Sequence, residues 1–116
     1  MARKVRNLVD LFDDAAPGAN VEIPGATVVV SGSRPANIRH SYRVQFANAT
    51  VLKAIVSRSG AADQTILFNE GTALAAGAGY EFEVPVLPGE SWEHQIGTDG
   101  AIAFFTIDEV TEGGDA

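Results

Sequence analysis

Any chemistry in this 116-residue chain starts from two histidines, His40 and His94, and from acids spaced two apart, Glu81 and Glu83. A zinc site takes three or four ligands, with a local pair at helical or hairpin spacing. Neither histidine has such a neighbour. His94 alternates in phase with Trp92 and Ile96, which puts it on the core side of a strand as a packing group. Glu81 and Glu83 share one strand face, as do Glu93 and Gln95. Carboxylates on facing strands can cleave glycosides, but acids that alternate with apolar residues mark a strand's wet face. Asp108-Glu109 ends a strand with no ligand spacing around it. Trp92 and Tyr80 fit better as buried anchors than as a sugar platform. The sequence has no Gly-x-Ser-x-Gly, phosphate loop or acidic calcium loop. The expectation is a protein that is not an enzyme and takes no metal or cofactor.

The elements around these residues are short and β-like. Tyr42, Val44 and Phe46 alternate with Arg39, Ser41, Arg43 and Gln45, and Val51 to Ser57 reads as a central strand. Tyr80, Phe82, Val84 and Val86 alternate with Glu81, Glu83 and Pro85. Pro85 withholds a ladder donor, which predicts an edge strand or a bulge. Further strands are expected at Thr27 to Val30, Gln64 to Asn69, Ser91 to Ile96 and Ala101 to Val110. Leu87-Pro-Gly-Glu90 reads as a turn and Asp99-Gly100 as a hairpin. Gly71 to Gly79 reads as a loop between strands. This pattern predicts an all-β fold, an antiparallel β-sandwich or jelly roll.

Residues 1–24 read as an N-terminal arm and connector, 25–112 as the sandwich and 113–116 as a frayed tail. Val5, Leu8, Val9 and Phe12 fall at i, i+3, i+4 and i+7, one stripe of a helix. Cations in its first turn and Asp13 and Asp14 in its last oppose the helix dipole, so it needs a surface to dock on. Arg3, Lys4, Arg6, Leu8, Val9 and Phe12 are the expected partner-binding residues. On this reading, deleting residues 1–16 leaves the body folded and removes binding.

Charge and composition narrow the partners. The net charge is −7, which argues against nucleic acid. No apolar run is long enough to span a bilayer, and the first residues lack a secretory pattern. With no cysteine, a cytoplasmic site of synthesis is expected. All eight Lys and Arg lie in residues 1–58 beside four acids, whereas Ser59 to Ala116 holds eleven acids and no Lys or Arg. Such a split either neutralises itself inside a compact fold or orients copies that pack together.

Thr65-Ile-Leu-Phe-Asn69, Gly71-Thr-Ala-Leu-Ala-Ala-Gly-Ala-Gly-Tyr80, Glu81-Phe-Glu-Val-Pro-Val86 and Pro88-Gly-Glu-Ser91 carry a resemblance. Over Val51 to Val110, about half the chain, the sequence resembles small β-sandwich virion proteins of tailed bacteriophages. The resemblance implies a capsid decoration or cement protein on the outer head shell. Its partners would be the major capsid protein, or another virion protein, and its own copies in a homotrimer. Such a protein is made in the host cytoplasm and resides in the virion. The alternative is a carbohydrate- or receptor-binding sandwich of a tail fibre or adhesin. Its loops of Ala, Gly and Ser favour the structural role.

Overall fold

The computed structural model describes residues 4–16, 18, 20–34, 37–98 and 100–111. Its strands are β1 (Lys4–Ala16), β2 (Val21–Glu22), β3 (Val28–Val29), β4 (Ile38–Phe46) and β5 (Leu52–Ser57). After β6 (Gln64–Leu67) comes a 3-10 turn (Phe68–Gly71), then β7 (Gly79–Val86), β8 (Ser91–Ile96) and β9 (Gly100–Thr111). One sheet has the order β1-β9-β4-β7; the other is β2-β8-β5-β6, with β3 also on β8. All pairs are antiparallel. The first strand pairs with the last, β2 and β3 with β8, β4 with β7 and β5 with β6. A chain doubled back from its middle and then wound into two sheets is a jelly roll.

Alternation builds the core. Ile38, His40, Tyr42, Val44 and Phe46 of β4 point inward, while Arg39, Ser41, Arg43 and Gln45 between them stay partly or fully wet. Leu52, Ala54 and Val56 of β5 and Trp92, His94 and Ile96 of β8 face them from the other sheet. Tyr42 meets Phe68 edge-on at a ring separation of 4.8 Å, and Phe105 at 6.2 Å. β7 is an edge strand, as Pro85 requires. In the Leu87–Glu90 turn, Gly89 takes φ 87° and the Glu90 amide donates to the Leu87 carbonyl at 3.2 Å.

Two expectations are corrected. Residues 4–16 form a strand along β9, not a helix, so the segment expected to be an arm enters the sheet. A β-bulge between Asn7 and Val9 explains the misleading spacing. It shifts the inward phase from Lys4 and Arg6 to Val9 and Leu11, so the four apolar residues read as one helical stripe divide between faces: Val9 turns inward while Val5 and Phe12 lie exposed on the outer face. The Gly97–Gly100 segment is not a hairpin either: β8 and β9 lie in different sheets. A Cβ at Gly100 would sit 2.7 Å from Ile96 Cδ1, so a larger residue there would make the Ile96 side chain shift. Thr50 supports the crossing, its hydroxyl accepting the Gly97 and Thr98 amides at 3.1 and 3.3 Å. Asp99 lies outside the described residues.

Candidate functional site

β1 is the other edge of its sheet, with β9 on one side and no strand on the other among the described residues. Its side chains sort by position. Lys4, Val5, Arg6 and Asn7 are exposed; Leu8 is half-buried and Val9 buried against the core. Phe12 is 57% exposed and Val5 56%, unusual for large apolar groups. Of the six residues expected to bind a partner, Lys4, Arg6 and Phe12 thus lie open on one edge. Leu8 packs on the sandwich and Val9 within it. Arg3 lies outside the described residues.

The two ends of β1 carry opposite charge. At the start, Lys4, Val5, Arg6, Arg34, Glu109 and Thr111 line a cleft of about 420 Å³. Glu109 is buried there, bonded to the Arg34 guanidinium and 3.4 Å from Arg6 Nη2. Two guanidinium groups therefore meet one carboxylate, with Lys4 lining the same cleft. At the far end, Asp13 and Asp14 line a shallower depression with Ala47, Ala101, Ile102 and Ala103. No ion pair reaches either acid among the described residues. Between these ends, Phe12 borders a groove with Arg43, Phe104 and Thr106. The sequence reading weighed Glu109 only as a metal ligand and did not place it inward, although Phe105, Ile107 and Glu109 carry the alternation that does.

The histidines belong to the core. His94 Nδ1 lies 2.6 Å from the Ala26 carbonyl and Nε2 2.6 Å from the Tyr42 hydroxyl. A carbonyl only accepts, so Nδ1 carries the proton and Nε2 accepts from Tyr42 in the neutral ring. Burial pushes His94 down to about 4, against the raising effect of the Ala26 bond. Burial also pushes His40 down to about 4, with His94 adding to the effect. Neither nitrogen of His40 has a hydrogen-bond partner among the described residues. Burial raises the Tyr42 hydroxyl well above its usual range.

The other candidate groups are structural. Glu81 and Glu83 face Arg43 and Arg39 across β4 at 3.8 and 3.1 Å. Gln95 donates to Glu93 at 2.8 Å, and Trp92 is buried. Among the described residues no three His, Cys, Asp or Glu side chains cluster as metal ligands. No helix among them is long and apolar enough to cross a membrane.

Geometry and topology together define the class: a jelly-roll β-sandwich with one long, charged, open edge. No protein-family model matches the chain, and no curated protein matches it. Among solved structures it is similar to part of the structure of infectious bursal disease virus, Gx strain. That match has a TM-score of 0.53 and 12% identity, covering 98% of this chain and 32% of the other. It is also similar to the N-terminal endo-1,4-β-D-xylanase of Clostridium thermocellum complexed with xylohexaose. There the TM-score is 0.48 at 12% identity, covering 94% of this chain and 29% of the other. The chain spans about a third of each of these longer chains. At such identity the viral likeness shows the sandwich fold alone.

Proposed function

We propose that the protein is a non-enzymatic virion structural protein of a tailed bacteriophage: a capsid decoration or cement protein that binds the outer head shell and its own copies. The observation that carries this reading is the open β1 edge. It is thirteen residues long, presents exposed Val5 and Phe12, and is flanked by cations at one end and acids at the other. An edge with unpaired peptide groups and exposed apolar side chains is a surface for another polypeptide. Both histidines are spent on packing the core, which leaves the surface to make contacts. The sequence resemblance supplies the kind of partner, and the fold it implies is the one found.

Co-sedimentation with head shells assembled from the major capsid protein of the same virus tests the reading. Pelleting with the shells supports it, and loss of pelleting on Phe12→Lys would locate the contact on β1. Protein that stays in the supernatant at saturating shell overturns it. Binding to immobilised glycans instead would move the assignment to a carbohydrate- or receptor-binding module. Phe12 and Phe104 beside Arg43 would then be the first residues to probe.

A further inference from the structure

We infer that β1 is a self-complementary edge at which two copies pair antiparallel about a two-fold axis, joining their four-stranded sheets into one of eight strands. The inference does not depend on shell binding. It starts from the bulge. In residues 4–7 the side chains on the outer face are Val5 and Asn7. Beyond the bulge, β1 pairs Asp10 with Thr106 and Phe12 with Phe104, so the outer-face residues there are Asp10 and Phe12. Directly opposed residues of antiparallel strands share a face. Faces match between two β1 strands only when the first half of one meets the second half of the other in an odd register.

Among those registers, one sets Val5 across from Phe12 of the second copy, Arg6 from Leu11 and Asn7 from Asp10, each twice, and brings Lys4 level with Asp13, where β1 leaves regular strand geometry at φ 52°. The two most exposed apolar side chains of β1 then cover each other. The cationic cleft of Lys4, Arg6 and Arg34 meets Asp13 and Asp14, which have no ion-pair partner among the described residues. A slip of two residues either way sets Val5 against Asp10 or Asp14. The bulge also selects the partner. Opposite a regular strand it breaks the ladder, as edge bulges do. Opposite its own copy, the two one-residue offsets face each other and preserve the match. The closed two-fold predicts a dimer where the family resemblance implies a trimer.

Light scattering on the full chain reads the result directly. The expected mass is twice the 12.1 kDa of one chain, falling towards one chain as salt rises. Val5→Glu alone and Phe12→Lys alone should each abolish the dimer, and the combined variant should restore it through two Glu–Lys pairs. Circular dichroism separates lost pairing from lost folding. A second measurement stands even if those variants fail to fold. The chain has no cysteine, so the Val5→Cys/Phe12→Cys variant should oxidise to a covalent dimer. Val5→Cys alone should not, because its two copies sit seven positions apart, roughly 24 Å at strand rise. A wild-type monomer at high concentration and low salt overturns the inference. So does an oligomer indifferent to Val5 and Phe12, or a covalent dimer formed equally by Val5→Cys alone.

Discussion

His40 and His94 sit on facing sheets with the same neutral charge, yet their substitutions diverge. His94→Leu leaves the Tyr42 hydroxyl and the Ala26 carbonyl buried without partners. Unsatisfied groups cost about 1–3 kcal/mol each, so a loss of about 2–4 kcal/mol is expected in urea unfolding. His40 has no bond to lose among the described residues, and His40→Leu should be neutral or stabilising by about 1 kcal/mol. Acid separates them from the carboxylates. Both imidazoles titrate near 6.5 when unfolded and near 4 when folded. The unfolded chain therefore binds more protons between those values. As far as these two groups are concerned, stability is full above pH 6.5, falls as pH drops towards 4, and changes no further below. At 1.36 kcal/mol per pH unit, the cost of protonating each buried ring lowers stability by on the order of 3 kcal/mol across that window. Unfolding free energies measured from pH 7.5 to 5 should show this slope before acids titrate, and His40→Leu should flatten it. His94 was legible from its phase with Trp92 and Ile96. His40 shares phase with Tyr42 and Val44, a signal of equal strength that sequence reading left unused.

Among the elements, β4, β5, β7 and β8 were legible because unbroken alternation survives in them, including the edge position that Pro85 imposes on β7. β1 was not, because its bulge breaks the alternation, exposed Val5 and Phe12 add apolar residues on the outer face, and its partner β9 lies at the far end of the chain. The structure also changes what truncation does. β1 covers β9 along its length and contributes Val9 and Ala16 to the core. Deleting residues 1–16 should therefore lower the melting temperature by many degrees or abolish folding, where a detached arm would leave it unchanged. Calorimetry on the truncated chain decides. The β7–β8 turn offers a finer probe. Glu90 Oε1 accepts the Leu87 amide at 2.7 Å and Trp92 Nε1 at 3.2 Å. Glu90→Ala strands the buried Trp92 donor and removes the partner of the part-buried Leu87 amide, and should cost about 1–3 kcal/mol in chemical denaturation. Leu87-Pro-Gly-Glu90 announced the turn; nothing in it announced the side-chain closure.

At the scale of the molecule, one topological fact organises both charge and folding. Because early strands pair with late ones, the cations of the first half meet the acids of the second: Arg6 and Arg34 at Glu109, Arg39 at Glu83, Arg43 at Glu81. The split along the sequence is thus partly stitched together in space, while Asp13 and Asp14 at the far end of β1 have no ion pair among the described residues. The same nesting places the most local pairing at the β5–β6 hairpin and the most distant at β1–β9. Chain closure becomes more costly with separation, and non-local β topologies refold on the order of milliseconds to seconds. Folding should then proceed outward from the centre of the chain, with β1 docking after the rate-limiting step. Ile66 packs on the core from β6 and Val9 from β1. Ile66→Val should slow refolding in stopped-flow traces by nearly its full effect on stability. Val9→Ala should leave the refolding rate almost unchanged and speed unfolding instead. Comparable φ-values at the two positions would mean that the ends of the chain meet before the barrier, and the nested order would be wrong.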